Sequence, residues 1–121
     1  MKDLTELINQ RRSIRTFTGE ALTEDQLRKI ITCGMHAPSA YNKQPWVFLS
    51  ITSQKKMRQL SPLCSWWKML ENAGGVIITC MDKRLLGDTP LEFFVASCNA
   101  AAENMLLGAN AMGWGGVWLG I

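Results

Sequence analysis

Arg11, Ser13 and Arg15 stand at alternate positions in the run Arg11-Arg12-Ser13-Ile14-Arg15-Thr16-Phe17, whose composition favours an extended path. In an extended segment alternate side chains share one side, so two guanidinium groups would flank a hydroxyl while Arg12 and Ile14 face away. That set suits a phosphate and a second anionic oxygen. The other reading is a solvated basic turn. A second constellation is Pro38-Ser39-Ala40-Tyr41-Asn42-Lys43-Gln44-Pro45-Trp46. Its prolines stiffen a loop in which Ser39, Asn42 and Gln44 could bond locally or read the edge of a heterocycle. A plain connector between a helix and a strand would look the same. A third is Gly113-Trp114-Gly115-Gly116-Val117-Trp118, where glycines would let backbone N–H groups approach a flat ligand. A glycine-terminated helix followed by a tight turn is its alternative.

The rest of the chemistry is sparse. His36 is the only histidine and has no evident partner, and Asp82-Lys83-Arg84 reads as a solvated turn. No Ser/His/Asp set, paired carboxylates or metal-ligand cluster is visible, so neither catalytic side chains nor a metal site is assigned. A chain that binds a redox cofactor needs none, because the cofactor carries the hard chemistry and the fold positions it. The net charge of +3 is too small to argue for nucleic acid. No apolar run approaches the ~20 residues of a membrane span, and the N-terminus has no secretory pattern. Cys33, Cys64, Cys80 and Cys98 are scattered and read as reduced thiols packed as small apolar groups in a cytoplasmic protein. Five tryptophans, with Trp66 and Trp67 adjacent, are more aromatic surface than one small core hides. Some of it is expected to meet a ligand or a partner subunit.

The elements that must position these residues follow from local pattern. Leu4, Leu7 and Ile8 predict a short amphipathic helix over 3–10. Thr23-Glu24-Asp25-Gln26 is a capping box, and the helix it starts should run to about Ala37, before Pro38. Residues 46–52 predict a buried strand, and 76–80 a second one buried on both faces. Between them lie a polar helical turn over 54–60, broken by Pro62, and a helical segment over 65–72. Thr89-Pro90-Leu91-Glu92 reads as a second capping box. Leu91, Phe94, Val95, Cys98, Ala102, Met105, Leu106 and Ala109 then keep helical spacing over about 24 residues, or ~35 Å. Ala100 to Ala102 give that helix a slim middle where another helix could come close. The chain finishes on a third strand or its approach at 114–119. The expectation is one α+β domain over 1–121.

Taken in order, an N-terminal helix, RRSIRTF at 11–17, a helix, PSAYNKQPW at 38–46, a long alanine-rich helix and GWGGVWLGI at 113–121 resemble the FMN-dependent nitroreductase family. The likeness covers the whole chain. It implies a nitroreductase-like fold, with a central sheet flanked by helices and the long helix at a homodimer interface that binds FMN. It further implies Arg11 and Ser13 at the flavin phosphate, and Arg15 near flavin N1 and the C2 carbonyl. Pro38, Ser39, Ala40, Asn42 and Gln44 would reach the flavin from the neighbouring subunit, and Gly115, Gly116 and Val117 would lie against its ring. Trp66 and Trp67 fall in the variable region that often covers the pocket, which makes them substrate-lid candidates. Family chemistry is ping-pong: NADH or NADPH reduces the flavin, and a nitroaromatic, quinone or similar small molecule then takes the electrons.

The family normally continues for several dozen residues past this point, with a further strand and one or two basic residues at the phosphate. By that comparison the sequence is a short member lacking the usual C-terminal tail. Two functions of different class follow. One is an FMN-dependent NAD(P)H oxidoreductase; the other is a flavin-binding or structural remnant that keeps the dimer without turnover.

Overall fold

A computed structural model describes residues 3–120. Its scaffold is a pair of helices crossed at small residues. Helix α1 spans Leu4–Gln10 and α2 spans Glu24–Met35. The capping box of α2 forms as its sequence dictates: the Thr23 hydroxyl accepts from the Gln26 amide (3.2 Å), and the Gln26 side chain accepts from the Thr23 amide (2.8 Å). The helix stops at Met35, two residues short of Ala37, whose amide bonds the Gly34 carbonyl instead.

A six-residue strand, β1 (Trp46–Ile51), pairs antiparallel with β2 (Val76–Met81), in a register that sets Trp46 opposite Met81 and Ile51 opposite Val76. Between them lie a short helix α3 (Gln54–Leu60), a 3-10 turn at Ser61–Leu63 and another at Lys68–Asn72. The buried-strand expectation for β1 is corrected. Val47 and Leu49 are exposed on one face, while Phe48 packs inward near Ile30 and Met105. Every residue of β2 is half-buried rather than enclosed. The reason is that two strands covered by helices on one side leave the other side open. Nor is there a third strand: 114–119 makes one isolated parallel bridge, Ser13 with Gly116, in which the Ile14 amide donates to the Gly116 carbonyl at 3.0 Å.

The long helix α4 runs Leu91–Ala111, 21 residues and about 31 Å. Its expected capping box is absent. Pro90 is the cap residue and receives no side-chain cap bond, while the Thr89 hydroxyl accepts from Lys43 Nζ at 2.9 Å. Phe94, Ser97, Ala101, Met105 and Ala109 form the buried stripe. Leu91 and Val95, expected on the inner face, are exposed.

The slim middle of α4 is filled by α2 of the same chain. A Cβ on Gly34 would sit 2.8 Å from Met105 Cγ and 3.2 Å from the Ala101 carbonyl oxygen, and one on Gly108 would sit 2.6 Å from Cys33 Sγ. Each helix thus offers a glycine to the other's side chain, and Ala101 is fully buried within the chain rather than offered to a partner. A second cluster, Met57, Leu70 and Ala73 with Phe17, Trp67 and Leu119 against it, fixes the 65–70 segment beside the last described residues. All four cysteines are free and half-buried; burial and the nearby Cys80 push the Cys98 thiol up. Among the described residues no helix is long and apolar enough to cross a membrane.

Candidate functional site

The basic segment divides its cations among three tasks. Arg11 Nε lies 3.6 Å from Glu103 Oε1 on α4. Arg12 folds back on the end of α1, where its Nη1 donates to the Asn9 (2.7 Å) and Arg11 (2.9 Å) carbonyls that the helix leaves without partners. Arg15 makes no hydrogen bond or ion pair with the described residues. Its guanidinium lines an open cleft of about 430 Å³ with Trp66, Lys68, Trp118, Leu119 and Gly120. Ser13, at the bridge to Gly116, joins the two ends. A smaller cavity of about 110 Å³ lies at the Arg11 end, against Ile14, Gly115 and Gly116.

The glycines separate by what faces them. A Cβ on Gly115 would sit 3.0 Å from three carbons of Ile14, and one on Gly116 would sit 3.1 Å from Leu106 Cδ2. Side chains of the same chain face both positions closely, so a larger residue there would press on Ile14 or Leu106. Val117 lines neither cavity. Gly120 has nothing within 4 Å of its Cβ direction and lies on the wall of the larger cleft. Gly115 and Gly116 thus line the smaller cavity beside Arg11, and Gly120 lines the larger one beside Arg15.

The two tryptophans diverge as well. Trp66 is 61% exposed at the cleft, whereas Trp67 packs on the second core cluster and its indole donates to the Gly120 carbonyl at 3.3 Å. Only Trp66 is placed to cover the opening. Lys68 carries no signal in the sequence, and Trp118 and Gly120 fall within the GWGGVWLGI run without a role of their own; the return of the chain end onto the 65–70 segment brings the three together. Two cations with no carboxylate among the lining residues, two indoles and a bare glycine make a cleft suited to a flat, electron-rich or anionic heterocycle.

The 38–46 loop is held on another part of α4. The Ala40 amide donates to the buried Ser97 hydroxyl (3.0 Å), which itself donates to the Phe93 carbonyl (2.7 Å). Ser39 Oγ accepts from the Gln44 amide, and the Gln44 side chain donates to Asn42 Oδ1, both at 3.0 Å. Pro45 is fully buried, while Pro38, Tyr41, Asn42 and Gln44 are exposed. Among the described residues no hydrogen bond or ion pair joins this loop to segment 11–17. The loop leans on the N-terminal half of α4 at Ser97, and the basic segment on its C-terminal half at Glu103.

Residues 8–68, about half of the chain, match the model of the nitroreductase family. A curated relative from Archaeoglobus fulgidus, named for NADH dehydrogenase and NAD(P)H nitroreductase activity, is 36% identical over all 121 residues, which span 69% of its length. The chain belongs to the nitroreductase family. A solved nitroreductase from Desulfovibrio desulfuricans in complex with FMN superposes with a TM-score of 0.88 at 33% identity, covering 99% of this chain and 69% of that one. A Parabacteroides distasonis structure bearing the same kind of name as the Archaeoglobus protein gives a TM-score of 0.89 at 28% identity, covering 100% of this chain and 70% of that one. Against two further curated relatives the chain spans 61% and 54% of their length. The nitroreductase fold thus extends across the described residues, including the cleft, the loop and the crossing of α2 and α4.

Proposed function

We propose that this chain is an FMN-dependent NAD(P)H oxidoreductase that works by a ping-pong mechanism on nitroaromatic, quinone or similar small acceptors. It forms one FMN-binding domain that acts as a homodimer. The observation that carries the reading is the Arg15 cleft, where an unpaired guanidinium, exposed indoles and an open glycine line one space. When bound there, FMN would supply the hydride chemistry, taking electrons from NADH or NADPH and passing them to the acceptor.

The chain's own residues would do the rest. Arg11 and Ser13 would hold the phosphate. Arg15 would set a fixed positive charge at the ring edge where negative charge collects. Backbone at Gly115 to Val117, and the wall at Trp118 to Gly120, would meet the ring, and Trp66 would shield it from water. Pro38, Ser39, Ala40, Asn42 and Gln44 would come from the second copy, which the placement of the loop and segment 11–17 on different parts of α4 supports. Exposed apolar side chains at Leu4, Ile8, Val47, Leu49, Leu91 and Val95 supply surface for that copy to cover.

The direct test is the visible spectrum of the purified protein followed by addition of NADPH. Yellow protein that bleaches fits the oxidoreductase. Yellow protein that stays yellow makes the chain a flavin binder without turnover, and colourless protein that FMN cannot reconstitute rules out both. Arg11→Ala should weaken FMN binding by a charge-assisted contact, about 1.5–3 kcal/mol. Its partner Glu103 is half exposed, so the fold loses little. Arg12→Ala should leave the affinity near the parent value, because that guanidinium is bound to the α1 carbonyls. Equal losses in a flavin titration of the two variants would refute this division of labour.

A further inference from the structure

Within the 38–46 loop, Lys43 turns back into the chain's own fold while its neighbours Asn42 and Gln44 are exposed. Its Nζ donates to the Leu85 and Leu86 carbonyls, each at 3.1 Å, and to the Thr89 hydroxyl at 2.9 Å. Those bonds use all three ammonium protons. The same nitrogen lies 5.8 Å from the Phe94 ring centroid and 6.0 Å from that of Tyr41, within cation–π range of both. The carbonyls belong to the end of a 3-10 turn at Lys83–Leu85, just ahead of α4. That turn is held from its other side by Asp82, which accepts from the amide and the guanidinium of Arg84. Hydrogen bonds from the Arg84 side chain lower the Asp82 carboxyl to about 2.

The loop needs such a hold. Tyr41, Asn42 and Gln44 adopt φ of 54°, 52° and 48°, left-handed conformations that cost non-glycine residues on the order of 1 kcal/mol or more each. Three in four residues persist only where the surroundings over-determine the backbone. Ser97 fixes the start of the loop at Ala40, and buried Pro45 fixes its end. Between them the Ser39 hydroxyl and the Gln44 side chain bond only within the loop, and the Lys43 ammonium ties the strained stretch to the 85–89 turn.

We infer that Lys43 is a positioning residue: its ammonium clamps the loop to the 85–89 turn, so the tip presents Asn42 and Gln44 outward in one fixed conformation to a bound flavin. The clamp rests on geometry, while its use by a flavin rests on the function proposed above. The experiment therefore reads both. Lys43→Met keeps the stem and removes the ammonium, Lys43→Arg keeps the charge, and Thr89→Val removes one partner. In the flavin-free protein, Lys43→Met should speed amide hydrogen exchange at residues 40–44 at least tenfold, with the α2 and α4 amides unchanged. FMN should then bind at least tenfold more weakly, with an altered visible circular dichroism of the bound flavin. Lys43→Arg should restore most of both effects, and Thr89→Val should fall between. Unchanged exchange at 40–44, or a uniform rise across α2 and α4, overturns the clamp. Faster local exchange with unchanged FMN affinity overturns the positioning role. Failure of the parent protein to bind FMN would remove the flavin reading, while the exchange data still decide whether the clamp exists.

Discussion

Ala101→Glu is expected to unfold the chain. Ala101 is fully buried where α2 crosses α4, and its carbonyl oxygen lies against the bare face of Gly34. A carboxylate there would have no cation within the crossing and no path to water that does not part the helices. An unpaired buried charge costs about 3–5 kcal/mol, a large share of what holds a domain of this size together. Thermal unfolding followed by circular dichroism should show a loss of more than about 10 °C or no folded baseline. Ala102→Glu is the control, because Ala102 is only half-buried and the same change there should keep the fold. A folded, native-like Ala101→Glu protein would mean that α2 does not cover this position. The slim face of α4 is closed by its own chain, so Ala101 does not report on assembly. The exposed large apolar side chains of that helix are Leu91, Phe93 and Val95, where the proposed second copy would be tested instead.

Arg15→Leu should have the largest effect on chemistry with the least effect on stability. The Arg15 side chain has no hydrogen bond or ion pair with the described residues, so removing it breaks no polar contact of the fold. What it removes is a fixed cation at the cleft where, on the proposed reading, negative charge gathers when the flavin is reduced. A preorganised donor at such a place is worth about 2.7–4 kcal/mol, or about a hundredfold in rate at the lower end. For a two-electron couple the lower figure corresponds to a drop in midpoint potential of about 60 mV. Redox titration of the FMN-loaded variant, with NADPH reduction followed at 450 nm or thereabouts in a stopped-flow instrument, would measure both quantities. An unchanged potential in a variant that still binds FMN would place Arg15 away from the charge.

What was legible in the sequence is what is decided locally. The Thr23 to Gln26 box formed because donor and acceptor lie three residues apart and nothing distant competes. The same pattern at Thr89 did not form because the helix starts one residue later, with Pro90 as its cap, while the Thr89 hydroxyl accepts from Lys43, 46 residues away. Helix spacing located α4 and most of its extent, yet Leu91 and Val95 fell outside the buried stripe, since which face is covered depends on where α2 lies. Both strands were found, and their burial was overstated for the same reason. Within the site, the RRSIR and PSAYNKQPW runs were readable as candidates because polar residues concentrate there. The roles of Gly115, Gly116 and Gly120 were not, because a glycine's purpose depends on whether Ile14, Leu106 or open space faces it. The left-handed backbone at Tyr41, Asn42 and Gln44 gave no glycine signal at all.

Helix α1 buries none of its residues, and its Leu7 carbonyl is reached from the scaffold by the Asn110 side chain at 3.0 Å. Seven residues are too few to hold a helix in water by their own hydrogen bonds. Segment 11–15, which carries three arginines, follows an element with few buried contacts and is tied to the scaffold by the backbone bridge to Gly116 and the half-exposed ion pair of Arg11 with Glu103. An anion gripped by Arg11 and Ser13 would shift the equilibrium of the whole N-terminal arm toward its ordered form. Part of the ligand's intrinsic affinity would then be consumed in ordering that arm, coupling occupancy of the site to the conformational entropy of residues 3–15.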